Sequence, residues 1–189
     1  YEERPVQLEL VKKIVSALNG NKIGIFEAGT GVGKSFSYLI PSMLWAVENK
    51  ERVVVSTGTI NLQQQLVEKD IPAAEKIVGK KIKAVLVKGR QNYLCVRRLD
   101  ETGKERDLFN EEQEIFDKIF EWSKNTPTGS RSDLSFMPSE NIWQKVNSEA
   151  DACMGMKCPF REKCFVMKVR KEAADANILV VNHHILFAD

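Results

Sequence analysis

The chain has 189 residues, 43% of them hydrophobic and 29% charged, with 28 basic against 26 acidic side chains for a net charge of +2. That is the composition of one folded domain, or one domain with an insertion; it excludes a disordered chain, and a charge so near zero says little about partners. No apolar run is long enough to cross a bilayer, and the start, YEERPVQLEL, lacks an apolar signal core, so a reducing cytoplasmic setting without membrane contact is expected.

Residues 5–19 space Val6, Leu10, Val11, Ile14 and Leu18 as one helical stripe, with Pro5 in the first turn and Asn19-Gly20 as the stop. KIGIFEA (22–28) is a short apolar run ending at glycines and reads as a strand, followed by a helix from Lys34 to Asn49. RVVVST (52–57) and KAVLVK (83–88) read as buried strands on either side of a helical stretch at 61–77. This alternation predicts an α/β fold with a parallel sheet covered on both faces. The pattern breaks after Arg90. An acidic helix is expected over 105–124, with Leu108, Ile115, Phe116, Ile119, Phe120 and Ser123 on one stripe. NTPTGSRSD (125–133) is a loop by composition, a basic helix follows near 160–175, and NILVV (177–181) is a further buried strand. Residues 91–174 therefore read as an insertion between a first segment, 1–90, and a return strand, 175–189, of one α/β domain.

Charge is uneven along this order. Lys76 to Leu99 holds eight basic residues and no acidic one, and Lys157 to Lys171 holds six basic residues against Glu162 alone. The two blocks flank the cysteines. A solvated surface accounts for them on charge alone; a polyanion channel is the functional alternative.

Residues 28–35, AGTGVGKS, follow the expected strand and open the expected helix, which is the context of a phosphate-binding loop. Ala28, Gly29, Thr30, Gly31, Val32 and Gly33 turn backbone N–H groups towards phosphate oxygens. Lys34 then meets the β- and γ-phosphates of ATP, and the Ser35 hydroxyl ligates Mg2+. Lys34 and Ser35 are the expected catalytic groups. The loop alone does not separate a helicase from a small-molecule kinase or a GTPase.

The only cysteines are Cys95, Cys153, Cys158 and Cys164, the last three within CMGMKCPFREKC. In a reducing compartment they read as metal ligands or free thiols rather than disulfides. Four thiolates suit a tetrahedral zinc ion or a 4Fe-4S cluster, and residue chemistry alone leaves the two open. His183 and His184 read as packing or capping residues, and Trp45, Trp122 and Trp143 as core.

Taken together, RPVQ at 4–7, EAGTGVGKS at 27–35, SYLIP at 37–41, STGTINLQQQL at 56–66, KGRQNYLC at 88–95, the C-x4-C-x5-C run and ADANILVVNHHIL at 174–186 resemble the DinG/XPD group of superfamily 2 DNA helicases, and its bacterial DinG-like members in particular. The resemblance implies a RecA-like P-loop sheet with an inserted, mainly helical iron–sulfur domain. It turns the metal question towards a 4Fe-4S cluster on Cys95, Cys153, Cys158 and Cys164. It also implies that Gln7 contacts adenine, and that Thr57 and Thr59 touch single-stranded or forked DNA. Basic residues near the cysteines, Arg90, Lys168 and Arg170 among them, would add phosphate contacts on a monomeric enzyme that moves 5′ to 3′. In that scheme the cluster domain forms part of a pore or wedge near the strand fork. No DEAH-type acidic motif appears before Asp189, so these residues alone are expected to bind ATP but not to hydrolyse it efficiently. A zinc-stapled ATP-binding module without motor activity and a P-loop kinase are the rival readings.

Overall fold

The computed structural model describes residues 4–104 and 111–187. The chain divides into two compact units: Tyr1–Val87 with Asp175–Asp189, and Lys88–Ala174.

In the first unit, α1 (Pro5–Asn19) carries proline in its first turn, and the Gly20 N–H closes it onto Ser16 O at 3.0 Å. Its Leu10, Val11, Ile14 and Leu18 stripe is half-buried, and α1 packs on α2 (Lys34–Glu48). After β1 (Val53–Thr57) comes α3 (Ile60–Gln65), which runs through a π-helical turn at Leu66–Asp70 into α4 (Ile71–Val78). β2 (Ala84–Leu86), β3 (Ile178–Asn182) and α9 (His183–Phe187) complete the unit.

The sheet is parallel, in the order β1-β3-β2, with Val53 and Ala84 both in register with Ile178. Leu39, Met43, Leu66, Ile71, Ala74, Ile82, Ile178 and Val180 form its core. Gln63 is buried in this unit at 0% exposure, and neither end of its amide finds a hydrogen-bond partner among the described residues.

Two expectations need correction. The run 22–28 forms no strand: Ile23 and Ile25 are 97% and 94% exposed, and neither edge of the sheet pairs with it. A strand exists only where another backbone answers its N–H and C=O groups, and apolar composition cannot supply that. Coverage on both faces also holds for the central strand rather than for the sheet. β3 buries Ile178, Val180 and Val181, whereas edge strand β1 leaves Val54 exposed.

The second unit is helical: α5 (Val96–Lys104), α6 (Glu111–Asn125), α7 (Glu140–Val146) and α8 (Phe165–Ala174). Leu94, Leu99, Phe116, Ile119, Ile142, Trp143 and Val146 make its core, with Trp122 packed against it. The stripe expected on the acidic helix is present in Phe116 and Ile119; Leu108 lies outside the described residues. Residues 126–133 are irregular and closed by a 3-10 turn at Arg131–Asp133, with Asn125, expected in the loop, ending α6 instead. Here Gly129 adopts φ +63°, and the Phe165 ring occupies the place of the side chain it lacks. No helix among the described residues is long and apolar enough to cross a membrane.

Candidate functional site

The glycine-rich loop is built from backbone. Gly31 and Gly33 take φ of +77° and +83°, values that side-chain-bearing residues rarely adopt, and Gly33 turns the chain directly into α2. No side chain caps that helix, so its first N–H groups stay open to an anion at the positive end of the helix dipole.

The first turn of α1 braces the loop. Arg4 Nη1 donates to Gly31 O at 3.0 Å, and Gln7 Nε2 donates to Gly33 O at 3.2 Å. A Cβ on Gly33 would displace that Gln7 amide, which can swing aside, so it is the left-handed φ that calls for glycine here. Lys34 Nζ donates to Ala28 O at 3.0 Å, and burial pushes the Tyr38 hydroxyl up in pKa, against the influence of the Ser35 hydroxyl. Gln7, Ala28, Gly29, Thr30, Gly31, Val32, Gly33, Lys34 and Ser35 thus form one continuous structure. Arg4 belongs to it as well, and RPVQ is the only sequence signal for it.

At the carboxyl end of β1, both threonines have internal tasks. Thr57 donates its hydroxyl to Thr59 O at 3.0 Å, while the Thr59 hydroxyl accepts from Leu62 N at 3.3 Å and caps α3. His183 and His184 are exposed, contrary to the packing role expected of them. His183 Nδ1 pairs with Ser56 Oγ at 2.8 Å, and capping falls to Asn182, whose Oδ1 accepts from Ile185 N.

All four cysteines lie in the second unit as free thiols. Cys95 directly precedes α5, and Cys164 directly precedes α8. Short 3-10 turns at Gly155–Lys157 and Arg161–Lys163 separate Cys153, Cys158 and Cys164. Burial pushes the Cys95 thiol up, against the main-chain N–H of Arg98 and the charge of Arg97. The exposed Cys153 thiol is lowered from its ordinary value, first by the Gly155 N–H; burial opposes this, and Arg90 and Arg97 add to it.

Among the described residues no three histidine, cysteine or carboxylate side chains are gathered as a set for a single metal ion. The donor chemistry nonetheless fits a cluster. Four thiols without a competing imidazole lie in one unit, two of them at helix starts, and a cube takes each thiolate on a separate iron rather than all at one point.

Beside Cys164 a groove of about 1390 Å³ opens, lined by Val96, Leu99, Phe120, Phe160 and Phe165. Lys124, Arg161, Lys163, Lys168, Arg170 and Lys171 also line it, against Asp100 and Glu162. Lys168 and Arg170 therefore both border this groove, with Lys168 Nζ bonded to Pro127 O at 2.7 Å. Arg90 is not among the lining residues; its Nη1 donates to Glu149 O at 3.2 Å, next to the Cys153 loop.

No family model matches the chain. It is 35% identical over 191 residues to the ATP-dependent DNA helicase YoaA of Haemophilus influenzae, and 37% identical over 195 residues to YoaA of Escherichia coli. Each alignment takes in 100% of this chain and 29% of the relative. The ATP-dependent helicase DinG of Mycobacterium tuberculosis is 33% identical over 202 residues, covering 97% of this chain and 30% of its own length. The chain spans about three tenths of the length of the relatives it matches. The loop that begins α2 and the four cysteines of the helical unit all fall within these alignments, and the chain is a DinG-like segment.

Proposed function

We propose that this chain is the ATP-binding and cluster-bearing part of a DNA helicase of the DinG type, one that moves 5′ to 3′ along a single strand. In this reading the first unit is part of a RecA-like motor domain and the second is its iron–sulfur insertion. The observation that carries it is the loop at 28–33: two left-handed glycines feed an uncapped helix that begins with Lys34, in a chain similar along its length to ATP-dependent helicases.

The open N–H groups of α2 cradle phosphate oxygens, Lys34 releases Ala28 O to meet the β- and γ-phosphates, and Ser35 ligates Mg2+. Gln7, held on the loop by Gly33, reads adenine. Thr57 and Thr59 stand at the carboxyl end of a parallel strand, the edge at which α/β sheets bind ligands. The aromatic and basic lining beside Cys164 is the combination that holds single-stranded DNA, through stacking and phosphate contacts.

Cys95, Cys153, Cys158 and Cys164 hold a 4Fe-4S cluster, which supplies folding free energy to the second unit and a one-electron redox centre. The sequence contains no DEAH-type acidic motif to hold the metal and the attacking water, so these residues bind Mg-ATP weakly and turn it over slowly. Titration with a fluorescent ATP analogue tests the reading: native protein binds in the presence of Mg2+, and Lys34→Ala abolishes that binding. Undiminished binding by Lys34→Ala, or rapid DNA-stimulated hydrolysis by the native 189 residues, would overturn it.

A further inference from the structure

The segment 93–98, which carries Cys95, is stitched to the segment 146–152, which leads into Cys153. Backbone bonds make the first part of the seam: Ser148 N to Tyr93 O at 2.8 Å, Cys95 N to Val146 O at 2.8 Å, and the bridge between Leu94 and Asn147. Beyond that point three guanidinium groups continue it. Arg98 Nη1 donates to Asn147 O and Asn147 Oδ1, both at 3.0 Å, and lies 3.2 Å from the Glu149 carboxylate. Arg90 Nη1 takes Glu149 O at 3.2 Å, and Arg97 Nη2 takes Ala152 O at 2.6 Å, one residue before Cys153.

The Arg97 side chain is only 14% exposed, and its Nη1 is fixed in turn by both oxygens of Glu101 at 2.6 and 2.5 Å. The contact with Ala152 O sets its charge one residue from Cys153, and its own place in the chain sets it two residues from Cys95. A planar fork anchored at one nitrogen to a carboxylate and at the other to a carbonyl sets a distance, which a solvated surface ion pair does not do.

We propose that Arg97 and Arg98 are positioning residues for the four-thiol site. They hold 147–152 so that Cys153 is presented beside Cys95, and Arg97 sets a positive charge among the thiolates, where it favours the reduced cluster. The inference rests on the cluster reading given above. It assigns two separable effects: both arginines govern how firmly the cluster is kept, and Arg97 alone also governs its potential, since its fork reaches Ala152 O beside Cys153 whereas that of Arg98 ends at Asn147 and Glu149.

The test uses anaerobically prepared protein with Arg97→Gln, Arg97→Lys, Arg98→Gln and the control Arg131→Gln. Arg131 is a half-buried arginine of the same unit whose guanidinium is bonded to Glu140 and Pro138 O rather than to the segment 146–152. Two quantities are read: the rate of iron loss to a chelator and the midpoint potential. Arg97→Gln and Arg98→Gln should lose iron several-fold faster than native protein and the control. Arg97→Gln should also shift the redox equilibrium about tenfold towards the oxidised form, roughly 59 mV for one electron. Arg97→Lys, which keeps the charge but not the fork, should restore the potential and not the retention. Native-like retention and potential in both glutamine variants would overturn the inference while leaving the cluster reading intact. So would equal iron loss in Arg131→Gln, which would mark general loosening of the unit. Native protein that holds no iron would remove the cluster reading, and this inference with it.

Discussion

The two units build their candidate sites by opposite means. In the first, the site is main chain: positive-φ glycines and the open end of α2, mounted on a parallel sheet whose apolar core needs nothing else. In the second, the site is four side chains beside helix starts and short turns, and the segment leading into Cys153 is held by guanidinium-to-carbonyl bonds rather than by a sheet. A backbone site depends on a few glycines and survives changes elsewhere. A thiol site depends on the frame around it, and metal binding is part of that frame's stability.

The comparison is tested most severely by Cys158→Ser. Iron should be lost altogether and amide exchange should quicken through 91–174, while Mg-ATP binding persists because the loop and its sheet belong to the other unit. Loss of nucleotide binding in the same variant would show that the two fold as one.

Gly129→Ala should be the next largest effect. It combines a left-handed φ of +63° with a Cβ driven into the Phe165 ring, where α8 begins. A cost of about 2–4 kcal/mol is expected, seen as unfolding of the second unit at lower urea concentration with the first unit unmoved.

Gln63→Leu should act in the opposite sense on the first unit. Replacing a fully buried, unpartnered amide with an apolar side chain of similar size should stabilise it by about 1–2 kcal/mol in urea titration. Destabilisation would mean that the amide has a partner in solution.

Smaller still is the electrostatic contrast. Charge reversal at Lys168 or Arg170 should weaken binding of an oligothymidine several-fold and lower its salt slope by about one for each phosphate no longer neutralised. Reversal at Lys12, Lys13 or Lys50 should do neither. Equal losses from both sets would return the basic block to a solvated surface.

Legibility in the sequence followed the same division. AGTGVGKS can be read because its chemistry is local: residue types dictate φ, and φ dictates where N–H groups point. Parallel strands are readable from valine runs, but the failure at 22–28 shows the limit, since Ile23 and Ile25 have the composition of a strand and no neighbour to pair with. Helix α5 gives no apolar stripe to read, because RRLDETGK is polar and buries Leu99 alone. Helix α7 is only seven residues long, although Ser139, which caps it, and Glu140 in its first turn are readable signals. Cysteine spacing points to a four-ligand set. The arginine seam beside it is invisible in the sequence, because which carbonyl a guanidinium reaches 49 to 59 residues away is decided by the fold.

The contrast between a backbone site and a thiol site rests on what the four cysteines hold. Iron, sulfide and zinc should therefore be measured, with a visible absorption spectrum, on native protein purified without oxygen. The expected result is brown protein with iron and sulfide each near four per chain, as for a cluster of that type. Stoichiometric zinc without iron would contradict it.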